Sequence, residues 1–295
     1  PQDQVEIEAT TAGGIDVYTV SQSQGQGHET TFGMIVAETL GVPLERVRIR
    51  QGVKPLIGNH TGGSRSTAGA GSACKLAAQK LIEHCRSLAA ERLEVEPSQV
   101  EYANGVFQVR GAKKKISLYD LAKKQPVTVM AEGSFGSTFP NGCHITEVEI
   151  DPATGVPCIV AYHAVDDCGN VINHSVVEGQ VHGAVTQGAG QIFGEQVVYD
   201  RDSGQLLTGS FMDYCMPRAG LVPDIRMQDY PVPSVNNALG VKGVGESGCT
   251  ASLPSLSNAV MDALRPLGIQ HLDMPFTPAK LWHAIQNAKA VSGKR

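Results

Sequence analysis

The sequence predicts an α+β protein of two α/β lobes, each a twisted sheet packed with helices on one side. Three observations carry this. Short β-branched runs with period two alternate along the chain with longer runs of helical period. Gly-rich loops separate them, and the 33 glycines are clustered rather than scattered. The chain has 295 residues, of which 41% are hydrophobic and 18% charged, enough apolar material for two cores. The boundary between lobes is placed near residue 135, giving 1–135 with the first Gly-rich loops and 136–295 with Gln187 and Glu246.

Taken in order, Val5-Glu6-Ile7-Glu8-Ala9 alternates as a strand, directly after a Pro1-Gln2-Asp3-Gln4 opening that has no start Met. Such an opening fits a processed piece, an expressed fragment or one subunit of something larger. Ile15 to Val20 is a β-branched strand that runs into the loop Ser21 to His28. Phe32, Ile35, Val36 and Leu40 then recur at helical spacing until Gly41 and Pro43 stop the helix. Val47 to Arg50 is the next strand, Gly58 to Thr67 a second loop, and Ala73, Leu76, Ala77, Leu81, Cys85 and Leu88 form the apolar face of a long helix. Val106 to Val109 reads as a strand. Thr146–Ile150 and Ile159–Val165 form a hairpin around the turn Asp151-Pro152-Ala153-Thr154-Gly155. Val177 to Phe193 reads as helix although Gly179, Gly183, Gly188 and Gly190 oppose it, which points to a close approach by another backbone or a ligand. The loop Gly240 to Gly248 precedes a helix through Leu256, Val260 and Leu264. Thr277-Pro278 starts a last one.

Several function classes are excluded. The net charge is −5, and Lys113-Lys114-Lys115 beside Gly111 reads as a solvated turn, so no nucleic-acid partner is expected. No stretch approaches the ~20 apolar residues of a membrane span. The seven cysteines show no Cys-x-x-Cys pair and match no zinc or iron–sulfur spacing, which favours a reducing, cytoplasmic compartment. No phosphate-loop Lys is present, which argues against a nucleotide-dependent transferase.

The three Gly-rich loops each lead into a helix start, where unpaired N–H groups and a partial positive charge suit an anion. Polar uncharged side chains accompany them: Gln24, Gln26, Ser64, Ser66, Thr67 and Gln187. Such groups suit a ligand with phosphates and a heteroaromatic ring. On the residues alone, Gly25-Gln26-Gly27 is either a tight turn or part of that cradle. Glu246, in a loop nearly free of charge, is either an exposed first-turn acid or a general base able to reach a reacting centre. Arg65 is either a surface ion-pair partner or a bidentate phosphate ligand. His28 and His60 read as hydrogen-bonded structural groups, and Asp166-Asp167-Cys168-Gly169 as a strand end and turn.

In order, the segments Gln22 to Thr30, Thr61 to Ser66, Phe139 to Gly142, Val165 to Asn173, Glu178 to Gly183 and Gly240 to Glu246 resemble the molybdenum hydroxylases. That family includes xanthine dehydrogenase, aldehyde oxidases and the carbon monoxide dehydrogenase large subunit. The resemblance covers nearly the whole chain and corresponds to the C-terminal, molybdopterin-binding half of a large subunit, with a molybdenum-cofactor-binding fold of the xanthine oxidase type.

The resemblance implies a molybdopterin cofactor, in its cytosine dinucleotide form, whose molybdenum is held by the dithiolene and by no protein ligand. It implies that Gly25, Gln26, Gly27, Gly63, Ser64, Arg65, Ser66 and Thr67 cradle the cofactor, that Gln187 hydrogen-bonds near the metal, and that Val244, Gly245 and Glu246 lie at the metal. The implied reaction is hydroxylation of an N-heterocycle or aldehyde with water as oxygen source and Glu246 as general base. Electrons leave through 2Fe-2S clusters and FAD on partner subunits. Further implied partners are the N-terminal half of the large subunit and a small-molecule substrate. His174, Val53-Lys54 and Cys249-Thr250-Ala251-Ser252 depart from the family's usual residues, which leaves the substrate open, a carbon monoxide dehydrogenase branch included. A non-catalytic cofactor-binding module, or a fragment of one, is the other class of reading.

Overall fold

Strand β1 (Gln2–Ala9) buries Asp3, Val5, Ile7 and Ala9 and turns Gln4, Glu6 and Glu8 outward, so a one-residue slip would move its apolar set into water. This strand, in the computed structural model that describes residues 2–292, lies at the middle of a four-stranded sheet. It pairs antiparallel with β2 (Ile15–Thr19) on one side and β7 (Val127–Ser134) on the other, and β2 pairs parallel with β3 (Val47–Gln51). A parallel pair needs a crossover, supplied here by helix α1 (His28–Leu40), which Gly41 ends in the left-handed region at φ 59°. Helix α2 (Ser72–Leu93) lays Ala73, Ala77, Leu81 and Cys85 into the same core as Val5, Ile7, Val17 and Phe32. Burying each of the larger apolar side chains contributes about 1.5–3 kcal/mol. On the outer face of the sheet Lys54 meets Glu6 and lies over the Tyr18 ring at 3.6 Å. Burial works to lower the Lys54 pKa, but Glu6, Tyr18 and Glu8 together raise it.

A small antiparallel sheet follows: β4 (Val100–Ala103), β5 (Val106–Val109) and β6 (Lys115–Ser117), joined through Phe107 to the same core. Ser117 caps the short helix α3 (Leu118–Ala122) by accepting from the Asp120 N–H at 3.0 Å. Lys113, Lys114 and Lys115 are exposed beside the turn, as expected.

The chain divides into two compact units. The first comprises residues 1–139 together with 168–176 and 231–243, so two of its segments lie beyond the boundary placed near residue 135. In the second unit, β8 (Asn141–Ile150) and β9 (Pro157–Asp167) form the expected hairpin, with a bulge at Glu147/Val148. The turn is held by Asp151, whose side chain accepts from the Thr154 hydroxyl and the Ala153 N–H. Strand β10 (Ile225–Asp229) adds parallel to β9, giving the order β10-β9-β8. Helices α4 (His174–Phe193), α5 (Ser247–Leu264) and α6 (Pro278–Ser292) supply this unit's apolar partners: Val181, Val185, Ile192, Leu256, Val260 and Leu281 gather around Tyr162 and Phe276. Among the described residues, no cysteine forms a disulfide. Among the described residues, no helix is long and apolar enough to cross a membrane.

Candidate functional site

In the first unit the first two Gly-rich loops are tied together. Thr61 donates its hydroxyl to the Gln22 carbonyl at 2.6 Å and lies 3.2 Å from the Ser21 hydroxyl. Gly25 and Gly27 both have positive φ, 108° and 70°, and a Cβ on Gly25 would meet nothing within 4 Å. Gly27 precedes α1 without any side-chain cap, so the first N–H groups of that helix keep their donor capacity. Gln26 folds back on its own loop: its Oε1 accepts from the Gln24 N–H and its Nε2 donates to the Gln22 carbonyl. The structural reading of His28 holds. It is buried, stacks on Phe32 with centroids 4.6 Å apart, and donates from Nδ1 to the Ser21 carbonyl. Burial lowers its pKa against the smaller upward pulls of Ser21 and Glu29.

The second loop carries Gly63 at φ 62° and Ser64 at φ 52°, and a side chain at Gly63 would stand in open space. It delivers Ser66 and Thr67 to a π-helical turn, Thr67–Gly71, that feeds α2. π-Turns are uncommon and concentrate at functional sites. This one lies directly on β7: a Cβ at Gly133 would be 2.5 Å from the Gly69 carbonyl oxygen. Arg65 has a long contact of 3.4 Å from Nη2 to the His60 ring, while its Nε is buried with no hydrogen-bond partner. The Ser72 hydroxyl is likewise buried and unpartnered. An unsatisfied buried donor is costly, and the fold itself supplies no acceptor to the Arg65 Nε.

The third loop is built in two parts. Its first part belongs to the first unit: Val241 bridges Gly169, and the Lys242 N–H donates to the Cys168 carbonyl at 2.6 Å. Asn170 donates to the Leu239 carbonyl, and Asn237 to the Val241 carbonyl. Gly243 then lies against Ser64. The second part, from Val244, belongs to the second unit. There Glu246 stands at the N-cap of α5 with φ −108° and an exposed side chain that does not fold back as a cap. The nearby Cys249 thiol is pushed up by burial and by the Glu246 charge.

Gln187 is exposed on α4, whereas Gly188 and Gly190 show the close approaches expected of this helix: a side chain at 188 would overlap Ser252, and one at 190 would crowd Pro217. Gly179 and Gly183 face open space instead. Sequence reasoning included Thr61 and Asn170 in the quoted segments without giving them a role, and missed Ser72 and Asn237. Only the polar Asn-rich stretch around Asn236 and Asn237 hinted at loop-bracing amides. Among the described residues, no group of three or more His, Cys, Asp or Glu could hold a metal ion.

A family model described as the molybdopterin cofactor-binding domain matches residues 1–223. The chain is 36% identical over 278 residues to the carbon monoxide dehydrogenase large chain of Hydrogenophaga pseudoflava, covering 90% of this chain and 34% of that one. It is 34% identical over 308 residues to the nicotine 6-hydroxylase large subunit of Paenarthrobacter nicotinovorans, covering 99% and 38%. It superposes with a TM-score of 0.83 on reconstituted CO dehydrogenase from Oligotropha carboxidovorans, at 33% identity, covering 98% and 38%. The chain therefore spans little more than a third of the length of these relatives.

Proposed function

On the premise that this chain belongs to the molybdopterin cofactor-binding domain family of the molybdenum hydroxylases, we propose that it is the cofactor-holding catalytic part of such an enzyme. It hydroxylates an N-heterocycle or an aldehyde with water as oxygen source. The observation that carries this reading is the unmet guanidinium donor beside the Gly-rich loops of the first unit. Arg65 Nε and Ser72 Oγ are buried without acceptors, beside a π-turn and the uncapped start of α1. The guanidinium N–H and the free N–H groups of the helix start fit a bulky anion.

Gly25, Gly27, Gly63 and Ser64 would let the cofactor approach the backbone. Arg65, Ser66 and Thr67 would donate to its phosphates and ring edges, and Gln26 would hold the first loop in shape. The cofactor is proposed to be the cytosine dinucleotide form. When bound, it supplies the Lewis-acid and two-electron chemistry. Glu246, followed by the close α4–α5 packing at Gly248, would accept the proton of the attacking water at its carboxylate. Val244 and Gly245 would set its reach, and the Gln187 amide would donate to oxygen at the reacting centre. We further propose that the remainder of the large subunit, a 2Fe-2S subunit and an FAD subunit complete the complex.

A carbon monoxide dehydrogenase-type activity is the second reading, favoured by the 36% identity to the Hydrogenophaga large chain. Assays of the assembled complex with carbon monoxide against N-heterocycles and aldehydes separate the two. The decisive test is Glu246→Gln in that complex. Turnover should fall by about two to four decades with molybdenum content unchanged. Near-normal turnover overturns the role of Glu246, and an assembled complex empty of molybdenum overturns the enzyme in favour of a non-catalytic module.

A further inference from the structure

Within the second unit a buried polar chain lies beneath α5 that the functions assigned above do not use. His144 of β8 sits between two side chains of β9. Its Nδ1 is 2.8 Å from the Tyr162 hydroxyl, and its Nε2 is 3.2 Å from Asp166 Oδ2. The His144 and Asp166 side chains are 1% and 4% exposed, and Tyr162 is equally buried. A carboxylate only accepts, which fixes the direction of the bond to Asp166. The His144 Nε2–H donates to Asp166, Nδ1 shares a hydrogen bond with the Tyr162 hydroxyl, the Tyr162 side chain is hydrogen-bonded in turn to Ser252 on α5, and the Ser252 hydroxyl donates to the Cys249 carbonyl. The chain thus runs from strand to helix. Ser252 is wholly buried and also lies 3.2 Å from the Cys249 carbonyl, in the first turn of α5. A second tie holds α5 to β8: Ser255 donates to the His144 carbonyl and lies 2.6 Å from the Thr146 hydroxyl.

On its other side Ser252 abuts Gly188 of α4 so closely that no side chain fits there. One turn earlier, a Cβ on Gly248 would be 2.5 Å from the Val181 carbonyl of α4. The two helices therefore touch at two points, backbone to backbone at Gly248 and through the Ser252 side chain at Gly188. Small residues alone permit that approach but do not fix its register, since apolar faces slide past one another. A directional chain of buried hydrogen bonds does fix it, because any shift leaves a buried polar group unpaired. The residues so fixed are adjacent to those assigned above: Gly188 follows Gln187, and Ser252 lies six residues beyond Glu246.

We propose that Tyr162 and His144 are positioning residues. The chain Asp166–His144–Tyr162–Ser252 sets α5 against α4 and so determines how Glu246 and Gln187 are presented for reaction. The inference rests on the assignment of Glu246 as base. Tyr162→Phe keeps the ring and removes the link, and Ser252→Ala removes it from the helix side.

The test is a double-mutant cycle in the assembled, molybdenum-loaded complex, joined to amide hydrogen exchange at Ser247–Thr250. Tyr162→Phe should lower kcat about ten- to a hundredfold, with KM little changed. It should cost nothing further in a Glu246→Gln background, and exchange at Ser247–Thr250 should quicken. Ser252→Ala should behave likewise, which preserves the test if Tyr162→Phe does not assemble. Losses that multiply in the double variant, or unchanged exchange, overturn the proposal, even if melting temperature falls. If Glu246→Gln alone leaves turnover intact, the base assignment fails, and the exchange measurement still decides whether Tyr162 orders the start of α5.

Discussion

Gly243 has no room for a side chain because of Ser64: a Cβ at 243 would stand 2.7 Å from the Ser64 Cβ and nearer still to its carbonyl oxygen. Ser64 cannot easily retreat, since it already occupies the left-handed region at φ 52°. The contact joins the second and third Gly-rich loops inside the first unit. Gly243→Ala should therefore cost about 1–3 kcal/mol, the usual price of overpacking, and should lower the molybdenum retained per complex. Thermal melts and metal analysis measure both, and an unchanged melt with full metal content would mean the loops are not coupled through this contact.

Arg65 separates binding from folding. Its Nε is buried without an acceptor, so the cofactor-free fold bears an unmet donor. Arg65→Met keeps the stem and removes that donor, and the cofactor-free chain should melt no lower than the parent. Cofactor retention should fall about ten- to a hundredfold, the scale of one charge-assisted hydrogen bond. Arg65→Lys should not restore it, because an ammonium lacks the planar fork. A lower melt with undiminished molybdenum would make Arg65 a structural residue instead.

Much of this was legible from local chemistry. Glycines ahead of residues 28, 72 and 247 announced three helix starts. Asp151-Pro152-Ala153-Thr154-Gly155 announced the β8–β9 hairpin, and period 3.6 outlined α2 and α5. The elements that escaped notice are short or depend on distant partners. β4, β6 and α3 have only three to five residues each, too few for a period to emerge, β10 is defined by parallel pairing with β9 across some sixty residues, and β7 by antiparallel pairing with β1 across more than a hundred. At the site, the sequence offered the polar loop residues but not the cross-ties, because Thr61 reaches Gln22 only once both loops are folded. Asp166 was legible as a strand end, as β9 bears out, but not as a buried partner of His144. Its burial against His144 arises from strand register, which places residues 22 apart on neighbouring strands.

His28 predicts a pH dependence of stability. Burial holds its folded pKa below the ordinary 6.5, despite the Ser21 carbonyl and Glu29. The unfolded chain therefore binds a proton at a pH where the folded chain does not. This contribution is fully present above about pH 6.5 and is lost as pH falls from there toward the folded value. His28→Gln should flatten the decline in melting temperature between about pH 7 and 5. An unaltered slope would assign the acid sensitivity to other groups.

Gln187 and Gly188 are neighbours with opposite surroundings on α4: the first is exposed, the second pressed against Ser252. The exposed position means that Gln187→Ala removes no core contact and should change stability by no more than about 0.5 kcal/mol. If its amide donates at the reacting centre, the same change should nevertheless alter the electron paramagnetic spectrum of the molybdenum in the assembled complex, because one donor to the metal's surroundings is lost. Stability and spectrum are thus expected to separate. An unchanged spectrum at full metal content would place the Gln187 amide away from the metal and leave the α4 surface at this point without a part in the reaction.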